Sequence, residues 1–389
     1  MKYRPMGSLG WDVSALGFGC MRFPTKRFNR LAADGAEATR IVRSGIDQGI
    51  NYVDTAWFYH MGESERILGE ALKDGYRERV KLVTKMPTPL ARKEEDFDKY
   101  LHAQLERLQT DYLDVYMMHT LDRAGFDKIK RLKFIEKAEK ARDAGLIRHI
   151  GFSFHDTLPV FKEIIDYYDW DVAQIQYNYM DTCIQATTEG LEYAHAKDVA
   201  VVVMEPLKGG RLANPPAEAL EVMRASGVER TPVDWALQFL WNRPEVAVVL
   251  SGMGSQRMVD ENCASADHSG VGILTEVEQE TIERLAEVYR AKIVVPCTAC
   301  RYCMPCPYGV DIPGNFAALN NMQLGNNWYF RYKTKRGVRK LAQTSAQLDS
   351  SKTNGSVHLC TQCRRCVEKC PQHIDIPVEL EKVKSEFGR

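Results

Sequence analysis

Two patterns of hydrophobic and polar positions alternate along the first 290 residues. Short runs of apolar or β-branched residues predict buried strands, and apolar positions three or four residues apart between them predict amphipathic helices. Leu101, Leu105 and Leu108 form one such helical face. The predicted strands are Ala15–Cys20, Asn51–Asp54, Val80–Lys85, Tyr112–His119, Arg148–Ser153, Val172–Tyr177, Val199–Met204 and Val246–Ser251. Eight strands separated by helices predict an α/β fold, a (β/α)8 barrel of the TIM type.

An open, doubly wound sheet is the alternative for this alternation. That fold usually carries a G-x-G-x-x-G turn after its first strand, whereas the first strand here carries only Gly17-Phe18-Gly19. The barrel is therefore favoured. Before the first strand, Lys2–Ser14 predicts a short hairpin with its turn near Ser8–Gly10, placed to plug the bottom of the barrel.

The charge balance excludes several classes of partner. The 389 residues include 52 Lys and Arg and 52 Asp and Glu, so the formal net charge is zero. Such a balance argues against binding to nucleic acid or a membrane surface. No apolar run approaches the ~18–20 residues that span a bilayer, and the first residues lack the apolar region of a secretory signal. We therefore expect a cytoplasmic protein.

The cysteines divide the chain into two parts. Eight of the 11 cysteines follow residue 296. In a reducing compartment, cysteines clustered at short fixed spacing indicate metal binding rather than disulfides. The sequence therefore predicts a barrel domain over residues 1–290 and a small, mostly helical, metal-binding domain over residues 291–389.

Four titratable residues lie at the ends of three neighbouring predicted strands. Asp54, Lys85 and His119 each end a strand, and Tyr59 follows Asp54 by five residues. Singly, each has an ordinary structural explanation as a helix cap, a rim charge, a core imidazole or packing. Together they suit acid catalysis, because a nearby ammonium lowers the pKa of a tyrosine and lets it donate a proton to an alkoxide. His119 would then hold the carbonyl oxygen.

The residues around Tyr59 also form a recognisable motif. The run Asp54-Thr55-Ala56-x-x-Tyr59-x-x-Gly62-x-Ser64-Glu65-x-x-Leu68-Gly69-x-Ala71-Leu72 resembles the signature of the aldo-keto reductases. Lys85 and His119 fall where that family has its other two catalytic residues. The resemblance implies a barrel that binds an extended nicotinamide cofactor and transfers its hydride to a carbonyl carbon. Tyr59 would be the proton donor, with Lys85 and Asp54 setting its pKa and His119 orienting the substrate.

The same resemblance implies a dispersed cofactor site. Ser153 and Gln176 would bind the carboxamide. Met204 lies where an aromatic residue usually stacks on the nicotinamide, and it is followed by Glu205 where a small hydroxyl residue is common. The remaining positions are Cys20 and Met21 in the first loop, Leu207, Lys208, Gly209 and Gly210 along the pyrophosphate, with Lys208 supplying charge, and Glu261 and Asn262 at the adenine.

The nature of the cofactor depends on one basic residue. Arg257 is the nearest cation in the late loop, one place away from the slot expected for a 2′-phosphate. It is either that ligand or a solvated residue at the start of a helix. We expect NADP(H), with NAD(H) left open.

The carboxyl-terminal cysteines form two runs. The first is Cys297-x-x-Cys300-x-x-Cys303-x-x-Cys306-Pro307, and the second is Cys360-x-x-Cys363-x-x-Cys366-x-x-x-Cys370-Pro371. A zinc ribbon, the alternative, uses two C-x-x-C pairs for one ion. The runs resemble a bacterial two-cluster ferredoxin module, in which the fourth cysteine of each run ligates the other [4Fe–4S] cluster. That resemblance assigns Cys297, Cys300, Cys303 and Cys370 to one cluster and Cys360, Cys363, Cys366 and Cys306 to the other.

The spacer between the runs is longer than a minimal module needs. Phe316–Leu324 and Asn327–Leu341 predict helices, Trp328, Tyr329 and Phe330 are candidates for packing on the barrel, and Ala342–Ser356 predicts a loop. Six of the ten residues from Arg331 to Lys340 are basic. Such a run is usually a solvated face. It could alternatively dock ferredoxin or flavodoxin, or offset the negative charge of the clusters.

The two domains predict different chemistry, hydride transfer in the barrel and one-electron transfer in the cysteine domain. The leading hypothesis is an NAD(P)H-dependent oxidoreductase that reduces a carbonyl, with clusters that exchange electrons with a partner or respond to redox state. The alternative is an iron–sulfur electron-transfer protein whose barrel binds nicotinamide or a partner without carbonyl turnover. A third hypothesis makes the clusters purely structural.

Overall fold

The computed structural model describes residues 1–26, 29–297, 303–324, 355–370 and 372–387. These residues form two compact units, one of residues 1–209 with 233–275 and one of residues 210–232 with 276–389. Several predicted features lie outside the described residues: Cys300, Pro371, the helix Asn327–Leu341 with its aromatic residues, the basic run 331–340 and most of the loop 342–356. The domain boundary near residue 290 stays a prediction.

Eight parallel strands form a closed barrel in the first unit. Each barrel strand pairs with the next along the chain, and the last strand pairs with the first through Val249 and Leu16. The strands are β1 Tyr3–Pro5, β2 Asp12–Ser14, β3 Leu16–Gly19, β4 Thr25–Lys26, β5 Asn29–Ala33, β6 Tyr52–Asp54, β7 Lys81–Met86, β8 Leu113–Leu121, β9 Ile147–Phe154, β10 Val172–Gln176, β11 Ala200–Met204 and β12 Val246–Ser251. The barrel comprises β3 and β6 to β12, which confirms the eight predicted strands.

Helices follow most barrel strands. They are α1 Gly35–Asp47, α2 Ser64–Ala71, α3 Asp96–Leu108, α4 Arg123–Arg131, α5 Phe134–Asp143, α6 Leu158–Tyr167, α7 Thr187–Ala196, α8 Ala217–Ala225, α9 Pro232–Trp241, α10 Gln256–Asp267, α11 Glu276–Ala291, α12 Ile312–Leu324 and α13 Ile376–Phe387. The predicted face of α3 is buried at Leu101, Leu105 and Leu108. Side-chain hydrogen bonds cap the amino termini of two of these helices. In α1, Asp34 accepts a hydrogen bond from the Glu37 amide, and in α4, Asp122 accepts one from the Gly125 amide.

The hairpin of β1 and β2 plugs the bottom of the barrel, as predicted. Met6 and Val13 are fully buried and pack with inward-facing residues of the barrel strands. Arg4 donates hydrogen bonds to the backbone carbonyls of Trp241, Arg243 and Val246, and burial lowers its pKa to about 10. With the bottom closed in this way, a site for chemistry is expected at the other end of the barrel.

The second unit has a hydrophobic core of its own. Val295, Phe316 and Val383 are buried in it, and α12 contains the predicted helix Phe316–Leu324. Asn320 fixes the chain that enters this core, because its side chain bonds the backbone of Val295 in both directions, at 2.7 and 3.0 Å. Cysteines of both runs border the same core, so thiols and apolar side chains pack together here.

No helix in the part of the chain that the structure describes has both the length and the apolar character of a bilayer-spanning segment.

Candidate active site

A buried ion pair lies at the carboxyl ends of β6 and β7. Asp54 is the last residue of β6, and Lys85 is the penultimate residue of β7. The Lys85 Nζ lies 2.6 Å from both carboxylate oxygens of Asp54 and 2.9 Å from the carbonyl oxygen of Thr55. Burial by itself lowers the pKa of Lys85, but the charge of Asp54 and hydrogen bonds to Asp54 and Tyr59 raise it above its ordinary value. Lys85 is therefore an ammonium.

Tyr59 lies in the short helical turn that follows β6. Its ring centroid is 5.2 Å from the Lys85 Nζ. The next two residues, His60 and Met61, have φ angles of 50° and 58°, in the left-handed region. These angles turn the chain sharply after Tyr59, which keeps its phenol beside the ion pair.

The pKa of Tyr59 differs from the sequence prediction. Burial raises the pKa of this phenol, the Lys85 ammonium opposes the rise, and the net direction is upward. The predicted lowering of its pKa is therefore wrong for the protein alone, because the desolvation cost of a phenolate exceeds the attraction of the lysine. Tyr59 is protonated near neutral pH and can donate its proton.

His119 lies in β8 and is the fourth of the predicted catalytic residues. Its ring contacts that of Tyr59 edge to face, with centroids 6.2 Å apart. Burial and, secondarily, the Lys85 charge hold the pKa of His119 well below its usual value, so the imidazole is neutral. Its Nδ1 is buried and has no hydrogen-bond partner among the described residues. The structure thus brings together all four residues that the sequence singles out.

The residues predicted to bind the carboxamide end two neighbouring strands. Ser153 is buried near the end of β9, where its Oγ accepts a hydrogen bond of 2.8 Å from the Thr120 amide. Gln176 ends β10 and donates to Asp181 at 2.9 Å. Both side chains therefore lie at the same end of the barrel as Lys85.

Other predicted cofactor residues form ion pairs or hydrogen bonds with side chains of the protein. Lys208 lies 2.5 and 2.6 Å from the two carboxylate oxygens of Asp181, so its charge is shared with a buried carboxylate. Asn262 is buried and donates to Ser251 at 3.0 Å. Arg257 is 82% exposed and lies 3.5 Å from Glu261 on the same helix, which fits the solvated alternative that the sequence left open.

The remaining predicted positions vary in exposure. Cys20 is fully buried, whereas Met21 is half exposed. Met204 and Leu207 are half-buried. Gly209 and Gly210 have φ angles of 64° and 87°, and Gly210 begins the stretch that belongs to the second unit.

Four cysteines line one pocket in the second unit. Cys306 from the first run meets Cys360, Cys363 and Cys366 from the second, around about 280 Å³ of space that includes open solvent. Burial raises the pKa of Cys366, and the neighbouring thiols raise it further. Cys363 is exposed, and the other three are half-buried. The combination matches one of the two predicted ligand sets.

The structure describes three of the four cysteines in the second predicted ligand set. Cys297, Cys303 and Cys370 are half-buried and border the core of this unit, while Cys300 lies outside the described residues. The assignment of these four cysteines to one cluster stays a prediction.

Comparison with known proteins decides the family. The model of the aldo/keto reductase family matches residues 15–279, more than two thirds of the chain. The chain belongs to the aldo/keto reductase family. A second family model, the 4Fe-4S dicluster domain, matches residues 296–374 of this aldo/keto reductase. The resemblances to the two families are thus confirmed, along with the barrel fold.

Relatives of this aldo/keto reductase cover its barrel. L-galactose dehydrogenase from Arabidopsis thaliana is 29% identical over 311 residues, which are 74% of this chain and 94% of the relative. The holo form of AKR11C1 from Bacillus halodurans matches with a TM-score of 0.62 at 29% identity, covering 73% of this chain and 96% of the other. An aldo/keto reductase from Klebsiella pneumoniae, solved with NADP and acetate, shares the fold, with a TM-score of 0.60 at 24% identity over 73% and 95% of the chains.

A polar network lies behind Lys85, around Glu65, which belongs to the motif in the sequence but had no predicted role. Glu65 is fully buried in this aldo/keto reductase and accepts from Thr84 at 2.8 Å, from Arg107 at 3.1 Å and from Gln104. Gln104 also donates to the carbonyl oxygen of Lys85 at 3.1 Å. A lone glutamine on the apolar face of α3 was a second signal in the sequence. The network supports the backbone from which Lys85 projects.

Asp181 escaped the sequence analysis. It is 1% exposed and accepts hydrogen bonds from Lys208, Gln176 and Asn178. The sequence offered only an acidic residue in a turn, because its basic partner is 27 residues away along the chain.

Proposed function

We propose that this aldo/keto reductase uses NADPH or NADH to reduce an aldehyde or ketone to an alcohol. The observation that carries the proposal is the Lys85 ammonium, fixed by Asp54 beside the Tyr59 phenol at the carboxyl ends of the strands. Active sites of this barrel type lie at that end. The reaction adds a hydride to the carbonyl carbon and a proton to its oxygen.

Tyr59 supplies the proton in this proposal. Its raised pKa keeps the phenol protonated until the carbonyl oxygen gains negative charge. As the proton leaves, the Lys85 ammonium stabilises the phenolate that forms. Asp54 holds Lys85 at 2.6 Å and maintains its positive charge. The Asp54–Lys85 pair thus stabilises the Tyr59 phenolate, which forms when the proton leaves, more than it stabilises the neutral phenol.

His119 orients the substrate. As a neutral imidazole it carries one N–H donor and one acceptor nitrogen. It can therefore donate to the carbonyl oxygen without placing a second cation beside Lys85. Phe58, whose ring centroid lies 6.0 Å from that of His119, is 42% exposed and gives the substrate side of the site an apolar surface.

The residues present fit a nicotinamide dinucleotide. Ser153 and Gln176 offer hydroxyl and amide groups at the ends of the adjoining strands. Lys208 and Gly209 would hold phosphate through a cation and a left-handed turn. The reduced nicotinamide supplies the hydride when bound. The Klebsiella pneumoniae relative that was solved with NADP supports NADP(H).

We propose that the cysteine domain holds two [4Fe–4S] clusters, which would supply one-electron chemistry when bound. Cys306, Cys360, Cys363 and Cys366 would hold one, since the four thiols border one pocket. Cys297, Cys300, Cys303 and Cys370 would hold the other. The match to a dicluster domain supports this count. A cytoplasmic location suits such ligands, because that compartment keeps thiols reduced.

Replacing Cys306 by serine tests the ligand assignment. We expect the iron content to fall from about eight to about four atoms per chain, because removal of one thiolate leaves its cluster with three ligands. Iron and sulfide analysis of anaerobically purified protein measures the loss. Cys183→Ser is the matched control, since Cys183 is exposed in the barrel unit. An unchanged iron content in Cys306→Ser would remove Cys306 from the ligand set.

The role of the clusters can be tested in the protein without a carbonyl. We propose that they exchange electrons with a carrier such as ferredoxin or flavodoxin. Anaerobic addition of reduced ferredoxin or flavodoxin, which donate single electrons, is expected to produce the EPR signal of reduced clusters, whereas NADPH and NADH donate a hydride and serve as the comparison. Clusters that stay oxidised while aldehydes are reduced would indicate a structural role or another electron donor.

Carbonyl turnover itself is tested by an anaerobic screen. The full chain is mixed with NADPH or NADH and a panel of aliphatic, aromatic and sugar aldehydes, and the loss of absorbance at the nicotinamide band is followed. Oxidation of the cofactor with formation of an equal amount of alcohol supports the proposal. Binding of nicotinamide without any turnover would favour the electron-transfer alternative.

A further inference from the structure

A single buried carboxylate joins two residues that are proposed to touch the cofactor. Asp181 lies in the turn after β10 and is 1% exposed. Its oxygens accept from the Lys208 Nζ at 2.5 and 2.6 Å, from the Gln176 Nε2 at 2.9 Å and from the Asn178 Nδ2 at 3.1 Å. A buried carboxylate needs such partners, because its desolvation is costly without them.

The same contacts shape the turn that carries Lys208. Asn178 donates to the carbonyl oxygen of Glu205 at 3.1 Å, and the Lys208 amide donates to that oxygen at 3.0 Å. Glu205 and Lys208 have φ angles of 56° and 47°, in the left-handed region that non-glycine residues rarely adopt. Asp181 therefore sets the position of the Lys208 side chain and stabilises the unusual backbone beneath it.

This arrangement puts two anions in competition for one cation. Lys208 is the residue proposed to attract the pyrophosphate of a dinucleotide, yet its ammonium is already paired with a carboxylate. An ammonium has three donors, so it can contact both anions, but part of its charge is offset wherever Asp181 remains bound. Gln176 is shared in the same way between Asp181 and the proposed carboxamide.

We infer that Asp181 is a positioning residue that restrains Lys208 and thereby weakens dinucleotide binding, which keeps cofactor exchange fast. The inference rests on the proposed function, since that function brings a dinucleotide to Lys208. The turn after β10 then has a specific role. It holds the cation in place between turnovers and limits how tightly that cation binds phosphate.

The Asp181→Asn substitution tests the inference. Asparagine keeps an oxygen that can accept from Gln176 or Asn178, but it releases the Lys208 charge. We expect NADPH to bind about tenfold more tightly, as measured by quenching of protein fluorescence. The dissociation constant is also expected to rise more steeply with salt than in the wild type, because a Lys208 cation that no longer faces the Asp181 carboxylate attracts phosphate more strongly through a screened charge. A purely structural effect would not steepen the salt dependence.

A double-mutant cycle shows whether the effect passes through Lys208. In the Lys208→Met background, Asp181→Asn is expected to change the NADPH affinity by less than about twofold, because the cation is gone. Equal or weaker binding by Asp181→Asn alone, or the same gain in both backgrounds, would overturn the inference. A wild-type protein that binds neither NADPH nor NADH would instead contradict the proposed function, so the two failures are distinguishable.

The wild-type protein provides a direct measurement of Lys208, for which a variant is needed only to assign the signal. The side-chain NH3⁺ resonance of Lys208 is observable by nitrogen-15 NMR and can be assigned with Lys208→Arg. We expect a signal slowed in exchange by its pairing with Asp181, and a shift when NADPH is added. Inorganic pyrophosphate serves as a probe that lacks the nicotinamide. A Lys208 signal that neither ligand moves would contradict the inference.

Discussion

Replacing Tyr59 by phenylalanine is expected to lower kcat for carbonyl reduction by about 10²–10⁴-fold, the usual contribution of a positioned general acid. The variant removes only the phenol oxygen, so NADPH binding is expected to change little. The loss follows because the neutral His119 is assigned to orienting the carbonyl oxygen and cannot replace the acid beside the Lys85 ammonium. Steady-state kinetics with the best aldehyde of the screen measures the effect.

A matched control separates loss of the acid from loss of a hydroxyl. Tyr76 donates its hydroxyl to Asp47 at 3.1 Å, away from the barrel strands, so Tyr76→Phe is expected to keep full activity. Retention of wild-type kcat by Tyr59→Phe would exclude Tyr59 as the general acid.

The pH profile follows from the directions of two pKa shifts. The raised pKa of Tyr59 keeps the acid protonated through neutral pH, and the lowered pKa of His119 keeps the imidazole neutral. We therefore expect kcat/KM to be flat from about pH 7 to 9 and to fall only at pH values above the ordinary tyrosine pKa of about 10, because the pKa of Tyr59 is raised. A fall that begins below about pH 8 would show that the phenol ionises more readily than its burial allows.

Replacing Lys85 by methionine is expected to destabilise the barrel and abolish turnover. The substitution leaves the Asp54 carboxylate buried without its cation, and breaking a buried pair in this way costs about 3–5 kcal/mol. It also removes the charge that stabilises the phenolate of Tyr59. The free energy of unfolding, from denaturant titration followed by circular dichroism, measures the first effect.

The sign of the pH dependence distinguishes this mechanism from lost packing. Burial raises the pKa of Asp54 even beside Lys85, and the loss of the lysine removes the main opposition to that rise. The folded variant therefore binds a proton more readily than the unfolded chain. Its loss of stability is largest at neutral pH and shrinks as pH falls through the raised pKa.

Two further variants complete the test of the pair. Asp54→Asn in the Lys85→Met background removes the stranded charge and is expected to recover part of the stability. Lys137→Met breaks a partly exposed pair with Asp98 and is expected to cost less than about 1 kcal/mol. If Lys85→Met lowers the free energy of unfolding no more than Lys137→Met does, burial does not increase the contribution of the Asp54–Lys85 pair to stability.

The barrel could be predicted from the sequence because the information for it is local and repeated. Each strand from Leu16–Gly19 to Val246–Ser251 is a short apolar run, and most of its residues are buried whichever face they occupy. The chemistry at the strand ends was also predictable, because Asp54, Lys85 and His119 lie at or near the carboxyl ends of three consecutive strands and parallel strands end at one edge.

The contacts that set the properties of the site were not predictable. Lys208 resembles a free phosphate ligand in sequence, and only the tertiary fold brings Asp181 against it. The pKa of Tyr59 depends on how much water is excluded from the phenol, which no residue pattern reveals. Burial and long-range pairing thus modify roles that the residue types suggest.

In the proposed ligand set, one cluster would join two parts of the carboxyl-terminal domain that are distant in the sequence. Cys306 and Cys366 border the same space although 59 intervening residues separate them in the sequence. A cluster bound there cross-links the chain and offsets the entropy lost in closing that long loop. A chain that ends before Cys360 would carry the whole first run yet lack three of the four cysteines proposed for this cluster.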